Sequence, residues 1–238
     1  MNKLKAAVSY EYLTKLKAVG IFYIIEYLCV AFILSIVAIS TGGKEIGSNV
    51  LEVSSIIFVS VVGVLGYKED FKALLQNGYP RKYIFGATIC MFALLSGTMA
   101  FIDTIIGNVL HHFYRTYFTL FGSLYGYGNL FANWLWLTVL YLMFGSLFYL
   151  AVLVIHRAGK MQSLFIGIGI SGVILIGFSV FRFVLPDEIV RSVAVFVIRV
   201  MGFMSDGTTN LIFPVLSFLA IGAVFESISY AVIRRTEL

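Results

Sequence analysis

The chain has 238 residues, of which 60% are hydrophobic and 12% charged, and its formal net charge is +5. Its mean hydropathy of +0.97 excludes an ordinary soluble fold and places the chain in the membrane class. Most basic residues stand in short segments beside apolar runs. The positive charge therefore indicates membrane topology and not a nucleic-acid partner.

The first 18 residues are expected to form an amphipathic helix on the membrane surface. Leu4, Val8, Tyr12 and Leu16 recur at near-helical spacing, and basic residues occupy the other faces. We expect the chain to enter the bilayer at about Val19.

Six apolar runs follow, each near the length needed to cross a bilayer. They cover about 19–39, 50–66, 83–110, 134–155, 161–184 and 211–233. We therefore expect an all-α integral membrane protein with six transmembrane helices, in one domain that covers residues 1–238. This count places nearly all basic residues on the cytoplasmic side, together with both termini.

A shorter apolar piece, 188–204, lies between the fifth and sixth spans. If it were a seventh span, it would bury Arg199 at a cost of about 2.5 kcal/mol or more, and it would move Arg234 and Arg235 to the outer side. We therefore expect a re-entrant hairpin between spans five and six, or an interfacial segment on the outer side.

Residues 111–133 are rich in aromatic side chains. A set of them recurs every three or four residues, namely Tyr114, Tyr117, Phe118, Phe121 and Tyr125. A helix here would present an aromatic stripe at the level of the lipid headgroups, which favours an interfacial segment. An irregular aromatic belt without a function is the alternative.

The longest charged interruption is KEDFKALLQNGYPRK, residues 68–82. Phe71, Leu74 and Leu75 share a face at helical spacing, Asp70 is in position to cap the start, and Gly78 ends the pattern. These signals predict a short amphipathic helix that docks on a soluble partner. A solvated loop with little helix is the alternative.

Motifs for catalysis and metal binding are missing. The sequence has no G-x-x-x-x-G-K-[ST] phosphate loop, no H-E-x-x-H and no Cys or His cluster at metal-ligand spacing. Asp103 with His111 or His112 is the only candidate for an enzyme site, and no nucleophile with an orienting base accompanies it. We expect no catalytic residue, no metal site and no hydrolysis of nucleotide by this chain alone.

Four ionisable residues fall inside or at the edge of the expected spans: Glu26, Asp103, Arg182 and Glu226. A charge in hydrocarbon is costly, so it usually faces a partner or a water-filled cavity. Asp103 and Arg182 both fall in the outer part of the membrane and can pair. The four residues either line a substrate path or have a structural role, as hydrogen bonds between helices or as neutral, protonated carboxyls.

The fifth span is rich in glycine. The residues are Gly167, Gly169, Gly172 and Gly177. Small residues allow helices to approach closely, so we expect close packing here, either within the subunit or with a second one.

This layout resembles the small permease subunits of bacterial ABC-2 type exporters. The most specific local match is the N-G-x-x-R-K string formed by Asn77, Gly78, Arg81 and Lys82. In that family the segment before this string is a coupling helix that docks on the ATP-binding subunit. The resemblance therefore implies a contact surface, with Phe71, Leu74 and Leu75 as apolar anchors. Its residues are Lys68, Glu69, Asp70, Phe71, Leu74, Leu75, Asn77, Gly78, Arg81 and Lys82.

The resemblance also implies a function. Two permease subunits, alike or different, would pair in the bacterial cell membrane and bind two cytoplasmic ATP-binding subunits. ATP and Mg would be held by that partner and not by this chain. The expected substrate is amphipathic: a lipid, a peptide, or a hydrophobic drug or antibiotic. The alternatives are an integral-membrane enzyme, or a membrane anchor or immunity-type protein that does not transport.

Overall fold

A computed structural model describes residues 3–41, 50–66, 71–113, 117–183 and 185–234. Within these ranges, the side chains of residues 3, 34, 37, 38, 41, 50, 72, 160 and 182 lie outside the description. The described ranges contain the helices α1 (Lys3–Thr41), α2 (Val50–Leu65), α3 (Lys72–Gln76), α4 (Arg81–Phe113), α5 (Leu120–Tyr125), α6 (Leu130–Phe183), α7 (Asp187–Val200) and α8 (Ile212–Arg234). They contain no β-strand and one isolated bridge, between Phe203 and Thr209. The all-α class expected from the sequence is confirmed.

Among the described residues, five helical stretches are long and apolar enough to cross a membrane. They are Leu4–Ile33, Arg81–Phe113, Leu130–Gly159, Met161–Phe181 and Ile212–Arg234. The expected second span corresponds to α2, which has 16 residues and is about 24 Å long at 1.5 Å per residue. A multi-pass membrane protein is therefore supported, while α2 falls short of the usual spanning length of about 20 residues.

Contacts between helices fix their relative directions. Tyr12 of α1 meets Thr98 and Tyr23 meets Asp103, so α1 and α4 run parallel. Arg81 at the start of α4 contacts Ile233 near the end of α8, so these two helices are antiparallel. We call the end of the bundle with the starts of α1 and α4 the α3 end, and the opposite end the α5 end.

The N-terminal segment is not a separate surface helix. Residues 3–41 form one continuous helix of 39 residues, in which the expected surface helix and first span are joined. The buried positions Ala7, Glu11, Lys15 and Val19 recur every fourth residue on the face that packs against α4. Lys15 was expected on a face away from the packing surface, and it is instead part of this buried stripe.

The centre of the bundle lies where α2 packs against the first part of α6. A Cβ added to Gly63 would lie 2.5 Å from the carbonyl oxygen of Gly145, and one added to Gly145 would lie 3.2 Å from Cγ1 of Val59. A side chain at Gly63 would collide with this backbone carbonyl, so the approach requires glycine there, whereas the Val59 side chain would have to shift slightly to admit one at Gly145. Phe92 of α4 and Tyr149 of α6 close this centre with an edge-on ring contact, and their centroids are 5.6 Å apart.

A break divides α6 at Gly159, whose φ of 78° and ψ of 164° are not helical. The sequence predicted a turn at 156–160, between spans four and five, and the break lies within it. The stretch after the break, Met161–Phe181, has no buried residue. We call this stretch the second arm. A Cβ added to Gly167, Gly169, Gly172 or Gly177 would meet no atom of the described chain within 4 Å, so the close packing predicted for these glycines is not made with the described residues.

The segment between spans five and six contains one helix, α7, with no buried residue. Residues 201–211 are all described and contain no second helix, so the re-entrant hairpin is not confirmed. They form a tight turn in which Gly202, at φ 89°, donates to the Arg199 carbonyl. In this turn the Thr208 hydroxyl and backbone N–H both donate to Asp206, which lowers the pKa of that carboxyl.

The aromatic segment turns inward. Its helix, α5, is only six residues long and begins at Thr119, whose hydroxyl accepts from the Gly122 N–H at 2.9 Å. Tyr117 and Phe121 are buried, so the expected stripe does not face outward as a unit. The Tyr125 hydroxyl donates to the Met201 carbonyl at 2.7 Å and so ties α5 to the turn after α7. Tyr114 lies outside the described residues.

Candidate functional sites

The connection between α2 and α4 is the first candidate site. Its helix, α3, ends as predicted at Gly78, which has a φ of 76°. The Gly78 N–H donates to the Leu75 carbonyl at 3.0 Å and the Tyr79 N–H to the Leu74 carbonyl at 3.1 Å, which satisfies the last carbonyls of the helix. Lys68, Glu69 and Asp70 lie outside the described residues, so the predicted Asp70 cap does too.

The apolar face of α3 is covered by the protein's own bundle. Phe71 is 3% exposed and Leu74 5% exposed, and both belong to the main hydrophobic core, while Leu75 packs against it. Phe71 and Leu74 are therefore unavailable as anchors for a partner. The physical reason is that α3 lies close to the bundle in sequence, since only six residues separate it from α2. Burying each large apolar side chain is worth roughly 1.5–3 kcal/mol, whether the bundle or a partner covers it.

The outer surface of α3 and of the turn after it is polar. Gln76, Asn77, Gly78 and Lys82 are exposed, and Tyr83 of the first turn of α4 is 43% exposed. Of the predicted contact residues, Asn77, Gly78 and Lys82 therefore remain accessible. They form an exposed polar surface at the α3 end.

Arg81 has a different place from the one the resemblance implied. Its Nη1 donates to the carbonyl oxygens of Ile233 at 3.3 Å and Arg234 at 3.5 Å. A guanidinium at the C-terminus of a helix favours both the free carbonyls and the helix dipole. Arg81 thus joins the start of α4 to the end of α8.

The second candidate site is a cluster of buried carboxyls and tyrosines towards the α5 end. Asp103 is 1% exposed, and its two oxygens accept from Tyr23 of α1 at 2.9 Å and Tyr141 of α6 at 2.6 Å. Three helices therefore meet at one carboxyl. The predicted partner, Arg182, has its side chain outside the description, so that pairing stays a prediction.

Glu26 and Glu52 lie in the same region. Glu26 accepts from the Ser54 hydroxyl, and Glu52 accepts from the backbone N–H of Leu120 in the first turn of α5. Glu52 was not among the candidate residues predicted from the sequence, although the rule that singled out the other ionisable residues applies to an acidic residue near the start of an expected span. One oxygen of each side chain, Oε2 of Glu26 and Oε1 of Glu52, is buried with no hydrogen-bond partner among the described residues.

The candidate enzyme pair is not assembled. Asp103 and His111 are on the same helix, and their separation of eight positions corresponds to roughly 12 Å. Both oxygens of Asp103 are engaged by tyrosines, while Nδ1 of His111 lies 2.6 Å from the Tyr117 carbonyl and its ring stacks on Tyr127. Within the described ranges, no group of three or more His, Cys, Asp or Glu side chains is arranged to hold a metal ion.

Glu226, the last of the four ionisable residues, lies apart from this cluster on α8. Its Oε1 accepts from the Ser146 hydroxyl of α6 at 2.6 Å. Its Oε2 has no hydrogen-bond partner among the described residues.

Comparison of the chain with protein-family models, curated proteins and solved structures gave no match.

Proposed function

We propose that this protein is the transmembrane permease subunit of an ATP-driven ABC-2 type exporter, which moves an amphipathic substrate out of a bacterial cell. ATP and Mg are bound by a separate cytoplasmic subunit, of which two copies dock on a pair of permease subunits. The chain has no ATPase role of its own in this proposal.

The observation that carries the proposal is the way in which α3 is held. Its apolar face is packed in the core, its outer surface is polar and exposed, and the adjoining Arg81 is bonded to the end of α8. A force applied to the exposed surface is therefore transmitted to the spanning helices. A coupling helix must transmit such a movement from the partner to the spanning helices. In α3 the buried residues attach the helix to the bundle, and the exposed residues are available to the partner.

Charge supports the proposed orientation. Five described basic residues stand at or near the α3 end, namely Lys5, Arg81, Lys82, Arg157 and Arg234, while Lys15 and Lys17 lie further along α1, between Tyr12 and Tyr23. Arg191 and Arg199 stand on α7, whose C-terminal end is tied to α5. The positive-inside preference then places the α3 end and both termini in the cytoplasm. Six spans follow when the shorter α2 is counted with the five long stretches, and α7 then lies at the outer interface.

The second arm supports a second permease subunit. It is apolar, unburied and lined with glycines that meet nothing in the described chain. Small residues on a spanning helix allow a neighbouring helix to approach closely. A homodimer and a heterodimer satisfy this requirement equally.

Asp103 was one of the residues expected to line a substrate path. Its two oxygens instead accept hydrogen bonds that join helices, so in this proposal its role is structural.

ATP binding supplies the differential affinity that moves the bundle between its inward-open and outward-open states.

The test is co-purification with the ATP-binding proteins encoded in the same genome. Lys82→Glu reverses an exposed charge beside α3, and Lys5→Glu is its matched control on α1 at the same end, where the neighbouring Leu4 lies beside Gly86. We expect the wild type and Lys5→Glu to retain an ATP-binding subunit, and Lys82→Glu to bind it about ten-fold more weakly, which corresponds to about 1.4 kcal/mol. Thermal unfolding of both variants in detergent controls for folding. If the wild type retains no ATP-binding protein, the exporter hypothesis is replaced by the alternatives, a membrane anchor or immunity-type protein or an integral-membrane enzyme.

A further inference from the structure

A groove of about 440 Å³ opens between α4, α6 and α8. Its walls are mostly apolar, with Phe85 and Ile89 from α4, Leu142 and Met143 from α6, and Phe218 and Leu219 from α8. Its volume falls within the range of small-molecule sites. A groove of this kind accommodates an alkyl chain or a ring system.

One carboxyl faces this groove. Glu226 is the only Asp or Glu among the described residues that line it, and none of them is Lys or Arg. Ser146 holds Oε1 of Glu226 in place at 2.6 Å, while Oε2 has no described hydrogen-bond partner. The groove therefore contains a fixed acceptor with one open position.

The depth of Glu226 defines what can fill that position. It lies eight residues before Arg234, which is roughly 12 Å along α8 from its end. A carboxylate at that depth is costly unless it meets a cation or a strong donor. The headgroup of a bilayer lipid carries a phosphate that stays at the interface, so it does not reach this position.

The geometry points to a binding site for a free cationic amphiphile, with its amine against Glu226 and its apolar part along the walls formed by α4, α6 and α8. Naming this ligand as the transported substrate rests on the export function proposed above. Binding itself requires only this chain in a membrane.

The test measures binding of radiolabelled dodecylamine, protonated at neutral pH, to the full chain in phosphatidylcholine nanodiscs, with empty nanodiscs subtracted. Glu226→Gln keeps the shape of the side chain and removes its charge. Glu188→Gln removes the same charge from the exposed surface of α7 and is the matched control. We expect saturable binding to the wild type and to Glu188→Gln, and binding at least about ten-fold weaker to Glu226→Gln, because a charge-assisted hydrogen bond is lost.

A second pair of variants leaves Glu226 intact. Ala223 lines the groove, so Ala223→Phe fills it, while Ala220 is exposed on the same helix outside the groove. We expect Ala223→Phe to lose dodecylamine binding and Ala220→Phe to retain it. Dodecanol, which has the same chain without the charge, is expected to bind with no dependence on Glu226.

Three results would overturn the inference. Dodecylamine could bind equally to Glu226→Gln and the wild type, or equally to the two phenylalanine variants. The wild type could also show no saturable dodecylamine binding, because lipid or a second copy of the chain fills the groove. These failures are separate from failure of the export proposal. If the chain retains an ATP-binding subunit but does not bind dodecylamine, only the binding site is refuted. If it binds dodecylamine but retains no ATP-binding subunit, only the exporter proposal is refuted.

Discussion

At the residue scale, Asp103 is the point at which three helices are joined. Tyr23 and Tyr141 both donate to its carboxyl, from α1 and α6. Neutral donors let a buried carboxyl satisfy both oxygens without a second charge, and a buried acceptor that loses its donor is costly. Asp103 therefore stabilises the bundle through these contacts.

Replacing Tyr141 with Phe should destabilise the protein, because the substitution removes one donor and little volume. Hydrogen bonds between spanning helices contribute about 0.6–1.7 kcal/mol, so we expect the melting temperature in detergent to fall by about 1–7 °C. Tyr10→Phe, on the exposed face of α1, is the control and should leave it unchanged. Equal melting temperatures for the two variants would show that the Asp103 contact carries no stability.

The sequence identified Asp103 but not its partners. A charge inside an apolar run is visible by inspection, whereas Tyr23 and Tyr141 stand 80 and 38 residues away from it. With 14 tyrosines in the chain, no local pattern separates these two from the rest. Glu52, near the start of an expected span, was visible by the same rule as Asp103.

At the element scale, α3 combines a fixed face with a free one. Phe71 and Leu74 are packed in the core, and Gln76 and Asn77 are exposed. A five-residue helix is too short to be stable alone, so its packing holds it in shape. Loss of that packing should release the whole connection between α2 and α4.

Leu74→Ala should therefore destabilise the protein, whereas Gln76→Ala should not. Truncating a buried leucine costs about 2–5 kcal/mol, which corresponds to a fall of at least about 4 °C in melting temperature. Thermal unfolding in detergent measures this, and proteolysis at 71–82 should become faster in Leu74→Ala. If Leu74→Ala unfolds like the wild type but no longer retains an ATP-binding subunit, Leu74 is an anchor for the partner, as the resemblance implied.

Periodicity predicted which residues of an element share a face, but not what covers that face. The prediction that Phe71, Leu74 and Leu75 share one side of α3 was correct, and the rest of the bundle packs against that side. The same holds for the start of α1: the sequence correctly predicted a helix there, but this helix packs against α4 and does not form a separate helix on the membrane surface. The ends at Gly78 and Gly159 were predictable because a positive φ is a local property of glycine.

At the scale of the whole molecule, the chain divides into a packed part and an unpacked part. The packed part consists of α1, α2, α4, the stretch Leu130–Gly159 and α8, which contact one another closely. The second arm and α7 have no buried residue. The apolar surface of the second arm must be covered by lipid or by another chain, and its position across the membrane decides whether the molecule has six spans.

Cysteine labelling tests this topology. After Cys29 and Cys90 are replaced with Ser, single cysteines at Gln76 and Arg157 report on the proposed cytoplasmic side, and those at Ser123 and Asp187 on the outer side. Because the second arm separates Arg157 from Asp187, a membrane-impermeant maleimide added to intact cells should label Ser123→Cys and Asp187→Cys only. Inside-out vesicles should give the opposite pattern. If Arg157→Cys and Asp187→Cys are labelled from the same side, the second arm does not cross. If all four respond in the reverse sense, α3 faces away from the cytoplasm and no ATP-binding subunit can reach it.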